Sequence, residues 1–127
     1  GSRVAVLMSN QSRWLLAAYA IFQRGAVLVP LDYKLGPEDQ RKLLAHSGAT
    51  LLITEEAIWR RLLSSEGSPL PFAIVSESPR PLSATEGLRW EDLSPPPAGA
   101  ATRPELPTRD EVATIVYSSG TGGSPKG

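Results

Sequence analysis

Apolar residues come in short bursts along this chain, set apart by longer amphipathic stretches. Val4-Ala5-Val6-Leu7, within the run 3–8, has the length and continuity of a strand buried on both faces, and Ser9-Asn10 turns the chain out of it. Residues 13–24 are rich in Leu, Ala and aromatics and predict a helix, with Ser12 as N-cap, Arg24 in the last turn and Gly25 just beyond it. Its apolar positions run almost all round, so more than one side is expected to be covered. Ala26-Val27-Leu28-Val29 predicts a second strand that Pro30, lacking an N–H, brings to an end.

The alternation continues. Pro37 suits the first position of a second helix, Glu38 and Asp39 lie where the helix dipole favours negative charge, Leu43 and Leu44 mark its buried face, and Ser47-Gly48 ends it. Thr50-Leu51-Leu52-Ile53 predicts a third strand. Thr54 is the expected cap of a third helix that begins with Glu55 and Glu56, buries Ile58 and Leu62, turns Arg60 and Arg61 to water and stops by Gly67. Phe72-Ala73-Ile74-Val75 predicts a fourth strand. Residues 77–111 are rich in Pro, Ser, Ala and Gly and read as a weakly ordered connection, with one helical turn at Trp90-Glu91-Asp92-Leu93 as its apolar anchor. Val112-Ala113-Thr114-Ile115-Val116-Tyr117 then predicts a fifth strand. Strand and helix alternating in this way imply right-handed βαβ units and an α/β fold, a largely parallel sheet with flanking helices.

Composition narrows the function. Thirteen basic and thirteen acidic residues cancel without long runs, which argues against nucleic acid or an anionic membrane as partner. The longest apolar run, residues 14–22, is far shorter than the roughly 20 residues of a membrane span, so no transmembrane segment is expected. No cysteine is present, which removes disulfides, thiolate zinc sites and cysteine nucleophiles and suits a reducing, cytoplasmic setting. The single histidine, His46, falls near a helix end, where a structural or dipole-complementing role is the default.

The residues that carry chemistry follow the fifth strand. Ser118-Ser119-Gly120-Thr121-Gly122-Gly123-Ser124-Pro125-Lys126-Gly127 combines glycines that let backbone N–H groups approach an anion, hydroxyls that donate to it, and one mobile cation. Composition alone would also suit a flexible Gly/Ser tail, but a tail has no need of a strand leading into it. The spacing is not that of the G-x-x-x-x-G-K-[ST] phosphate loop, because Pro125 precedes Lys126 and Gly127 follows it.

Tyr117 to Gly127 instead resembles the signature Y-[ST]-S-G-T-T-G-x-P-K-G of the AMP-forming adenylating superfamily, which includes acyl-CoA synthetases, luciferases and nonribosomal-peptide adenylation domains. Gly122 is the one departure, standing where the family has Thr or another side-chain donor. Gly25-Ala26-Val27-Leu28-Val29-Pro30-Leu31-Asp32 and Ser47-Gly48-Ala49-Thr50-Leu51-Leu52-Ile53 are similar to two further family segments in the same order, and Asp110 to Val116 is similar to the lead-in of the signature.

The resemblance implies an incomplete N-terminal subdomain of an adenylate-forming enzyme spanning residues 1–127. The intact enzyme would join a small-molecule carboxylic acid to ATP, release pyrophosphate and pass the acyl group to coenzyme A or a carrier thiol. It implies ATP-phosphate binding by Ser118, Ser119, Gly120, Thr121, Gly122, Gly123, Ser124 and Lys126, with Tyr117 anchoring the strand. The Mg2+ ligand, the acyl pocket and the catalytic lysine of the family would lie downstream, so residues 1–127 alone are expected not to catalyse adenylation, and their unpaired sheet edges favour association. Fatty acyl, aromatic and aminoacyl substrates, and the oligomeric state, are left open. Two other readings also stay open: a kinase-like NTPase with a divergent phosphate loop, and a non-catalytic relative acting as an interaction module.

Overall fold

The computed structural model describes residues 2–9, 11–93 and 114–116. Five parallel strands form one sheet in the order β2-β1-β3-β4-β5. They are β1 (Arg3–Leu7), β2 (Val27–Pro30), β3 (Leu51–Glu55), β4 (Phe72–Ser76) and β5 (Gly87–Arg89), with helices α1 (Ser12–Gln23), α2 (Pro37–Ser47) and α3 (Glu56–Ser64) in the crossovers. A single turn of 3-10 helix, Trp90–Asp92, follows β5, where one helical turn was expected.

β1 lies at the centre of the first three strands. Val4 aligns with Leu28 on one side and with Leu51 on the other, and Val6 with Pro30 and Ile53. Because strand side chains alternate between faces, β1 supplies two cores. Ala5 and Leu7 join Val29, Leu52, Ala73 and Val75 under α2 and α3, where Leu43, Leu44, Ile58, Trp59 and Leu62 close the layer. Val4, Val6 and Met8 join Leu28 and Ile53 under Ala17, Ala18 and Ile21 of α1, with Trp14 and Trp90 packed at the margin. A parallel sheet buried on both faces needs near-continuous apolar strands, which is what the sequence bursts provide.

Local chemistry sets the helix ends at several points. Gly25 and Gly48 take the left-handed conformation, with φ of 68° and 69°, just beyond α1 and α2, where a side chain is strained. The Arg3 guanidinium donates to the Ser47 carbonyl at 2.7 Å, placing a cation on the last turn of α2 and tying it to the start of β1.

The structure corrects the sequence expectation at four places. Ser12 is the first residue of α1 and Gln11 holds the cap position. Thr54 is a buried residue of β3 whose hydroxyl donates to the Leu7 carbonyl at 2.6 Å, and Glu55 holds the cap position of α3. The 77–111 stretch, read as a connection, contributes the fifth strand of the sheet, β5; Gly87 enables it, because a Cβ there would lie 1.8 Å from the Ala73 carbonyl oxygen. Finally, α1 is covered on one side only among the described residues: Leu15, Leu16 and Tyr19 are 67%, 59% and 64% exposed.

Gly87→Ala is expected to lower stability by about 1–3 kcal/mol, since β4 and β5 must separate to admit the methyl group. Denaturant unfolding checks this, and an unchanged midpoint would show that the β4–β5 pairing does not depend on the missing side chain.

Candidate functional site at the carboxyl edge of the sheet

Ligands of open parallel sheets bind beyond the carboxyl ends of the strands. Three features of this chain meet there. The first is the point of arrival of residues 114–116. Thr114 bridges Leu28 in parallel, and the Ile115 N–H donates to the Leu28 carbonyl at 2.9 Å. The described part of the expected strand, residues 114–116, therefore bridges the outer edge of β2, with Ile115 packed on the α2–α3 core. The register brings Val116 level with Pro30, at the carboxyl edge.

Ser118, Ser119, Gly120, Thr121, Gly122, Gly123, Ser124 and Lys126, together with Tyr117, lie outside the described residues. What is described is residues 114–116 just before them, which run parallel to β2.

The second feature is a polar cluster between β1 and β3, where the strand order reverses. The Glu55 carboxylate accepts a hydrogen bond from the Ser9 hydroxyl at 3.0 Å and another from the Gln11 carboxamide. The cap residues of α1 and α3 are thus bonded to each other by their side chains, which is why neither caps its own helix. Sequence reasoning passed over Gln11 and took Glu55 only as the start of the third helix, because no local signal marks a glutamine and a glutamate 44 residues apart as partners. Nearby, Arg13 reaches the Glu77 and Glu91 carboxylates at 3.4 and 3.9 Å, and the two Glu91 oxygens accept the Glu77 N–H at 3.0 and 3.2 Å. That double acceptance holds Glu77 in a left-handed conformation, φ 64°, unusual for a non-glycine residue.

The third feature is the 32–36 loop that follows β2. Asp32 folds its carboxylate back on the Lys34 N–H at 2.9 Å, a local turn in an exposed position. Tyr33 packs half-buried on the α2–α3 core. Asp32 is thus a solvated part of the connection, whereas Tyr33 is a packing residue. His46 occupies the last turn of α2, remote from this edge.

The model of the family described as "AMP-binding enzyme" matches residues 1–127. The chain belongs to that family. Among curated relatives, the 2-succinylbenzoate–CoA ligase of Bacillus licheniformis is 31% identical over 127 residues, and the alignment covers 100% of this chain and 23% of the ligase. The phosphinothricin tripeptide synthetase PhsC of Streptomyces viridochromogenes is 29% identical over 125 residues, covering 98% and 10%. Among solved structures, the anthranilate CoA ligase AuaEII in complex with anthranoyl-AMP superposes with a TM-score of 0.81 at 23% identity, covering 98% of this chain and 24% of that one. The acyl-CoA synthetase of Brucella canis gives 0.76 at 22% identity, covering 99% and 22%.

These likenesses establish the fold, a parallel sheet with flanking helices that matches the N-terminal subdomain of adenylate-forming enzymes. The chain spans less than a quarter of the length of each of these relatives. Among the described residues, no helix is long and apolar enough to cross a membrane.

Glu55→Ala is expected to free Ser9 and Gln11 and to cost about 1–2 kcal/mol, because it removes both bonds to a partly buried carboxylate. Arg13→Ala, which breaks more exposed pairs, is expected to cost less than about 1 kcal/mol. Parallel denaturation curves test the ranking; an equal loss in both variants would contradict it.

Proposed function

We propose that the intact protein is an ATP-dependent, AMP-forming carboxylate ligase and that residues 118–126 hold the β- and γ-phosphates of ATP. The carrying observation is the conjunction of the 117–127 signature in the sequence with the parallel bridge of Thr114, three residues before it, to Leu28 of β2. Family membership supports the reading, as do relatives named as CoA ligases for 2-succinylbenzoate, 4-hydroxybutyrate and 4-coumarate.

The donor set suits the chemistry. An ionised carboxylate needs no general base to attack the α-phosphate. Charge then moves onto the departing pyrophosphate, where preorganised donors lower the barrier. Ser118, Ser119, Thr121 and Ser124 would donate through hydroxyls. Gly120, Gly122 and Gly123 would bring main-chain N–H groups close, and Lys126 would supply a compact positive charge. Magnesium bound to the triphosphate would neutralise part of the same charge; residues 117–127 contain no carboxylate to ligate it. The acceptor of the acyl group is the thiol of coenzyme A or of a carrier, matching the CoA ligases and peptide synthetases among the relatives.

The test is carboxylate-dependent exchange of pyrophosphate into ATP by the full-length protein, with product analysis. AMP and pyrophosphate support the reading; ADP and phosphate would replace it with a γ-phosphoryl transferase or NTPase. Lys126→Ala is expected to slow exchange about a hundredfold, and an unaltered rate would remove the lysine from the mechanism. Gly122→Thr restores a side-chain donor and is expected to improve kcat/KM for ATP about tenfold; no gain would mean that the main chain already satisfies that phosphate oxygen.

A further inference from the structure

The two sides of the sheet are finished differently. α2 and α3 cover the side that holds Ala5, Leu7 and Leu52, and they turn charged residues outward, among them Glu38, Asp39, Lys42, Arg60 and Arg61. Leu63 is the one exposed large apolar side chain of these two helices among the described residues. α1 covers the opposite side and does the reverse. Its buried residues Ala17, Ala18 and Ile21 face the sheet. Leu15, Leu16, Tyr19 and Phe22 share the outer face, because steps of one, four and seven residues fall within about a third of a helix circumference. The only charged residue within α1, Arg13, is engaged with Glu77 and Glu91.

The strands repeat this asymmetry. α1 lies over β1 and β2. Further along the sheet, Ala73 and Val75 of β4 enter the α2–α3 core, so Phe72 alternates to the α1 side, and Leu88 of β5, level with Ile74, falls on that side too. Phe72 and Leu88 are 37% and 49% exposed. Single apolar residues scattered over a surface need no explanation, but Phe72 and Leu88 together with four residues of one helix face mark an interface.

Composition limits what covers this side. Residues 94–113 and 117–127 carry only Leu106, Val112 and Tyr117 as large apolar side chains, too few to cover the face. A second copy would bury it, but a segment joined to the same chain acts at an effective concentration on the order of millimolar and outcompetes a free copy. The matched region is 23% of the 2-succinylbenzoate–CoA ligase and 24% of the AuaEII chain, so each of those proteins has ample further chain to supply such a segment. We propose that the α1 side of the sheet is an internal interface of the intact protein, packed against an apolar, uncharged face of the polypeptide beyond Gly127, while the α2–α3 side stays in water. The proposal rests on the reading of the intact protein as a ligase for the existence of that segment, and on the asymmetry of the sheet for the choice of side.

The experiment places the photo-crosslinker p-benzoylphenylalanine at Tyr19, at Leu16 or, as control, at Arg61 of the full-length protein, and maps the products by gel mobility and peptide mass spectrometry. Hydroxyl-radical footprinting of the full-length wild type runs alongside, so that a variant that fails to fold does not decide the result. The expected outcome is crosslinks from Tyr19 and Leu16 to residues beyond Gly127 at monomer mobility, with none from Arg61. Oxidation of Tyr19 is expected to be slower than that of the half-buried Tyr33, a reversal of their order of exposure among the described residues. Crosslinks at twice the monomer mass assign the face to a second copy, and crosslinks to residues 94–113 assign it to that stretch; either overturns the proposal. Crosslinks from Arg61 to the same downstream region overturn the choice of side, and faster oxidation of Tyr19 than of Tyr33 overturns the interface. Pyrophosphate exchange by the same wild-type preparation separates the two readings. Crosslinks as expected without exchange remove the adenylating function and leave the interface; exchange with a readily oxidised Tyr19 keeps the function and removes the interface.

Discussion

A parallel strand that is hydrogen-bonded along both edges and buried on both faces has no freedom left, and β1 is that strand. Its main chain is aligned with β2 and β3, while its odd and even side chains enter different cores. Shifting β1 by one residue would exchange Ala5 and Leu7 with Val4 and Val6, so that neither core would receive the side-chain shapes it is packed around. The register of the neighbouring strands, the faces taken by the helices and the level at which the carboxyl edge lies all follow from holding β1 in place.

Polar groups reinforce the same strand at its two ends. At the amino end Arg3 is tied to the last turn of α2, and at the carboxyl end the Leu7 carbonyl receives the Thr54 hydroxyl. Just beyond, Ser9 and Gln11 close on Glu55, so the crevice where the strand order reverses is occupied by side chains bonded to one another. That commitment separates this edge into two regions. The β1–β3 side serves as structure, and the β2 side, where Thr114 bridges Leu28, carries the approach to the signature.

The exposed face of α1 completes the picture of what this part of the fold leaves unfinished. Leu15, Leu16 and Tyr19 are apolar and uncovered among the described residues, in a chain that spans less than a quarter of the relatives' length. Helices that are apolar almost all round are stable in water only when both sides find cover. The all-round pattern in the sequence is thus a statement about surroundings wider than the described residues.

Much of the fold was legible in local pattern: the bursts at Val4-Ala5-Val6-Leu7, Val27-Leu28-Val29, Leu51-Leu52-Ile53 and Ala73-Ile74-Val75, and the glycines that close α1 and α2. These depend on residues near one another along the chain, so the sequence by itself determined them. Three features escaped it for one physical reason, that their partners are remote. Ser12 and Thr54 have the right chemistry for caps, yet Gln11 and Glu55 take those positions because each finds the other across the β1–β3 edge. Gly87 has no strand propensity of its own, and its role as a point of close approach exists only beside the Ala73 carbonyl. Gln40 looks like an ordinary polar helix residue until the turn of α2 points it at two carbonyls in the loop behind it. Sequence decided which elements form and which family the chain joins; tertiary structure decided the boundaries and the polar ties, since both are set by groups that meet only when the sheet has assembled.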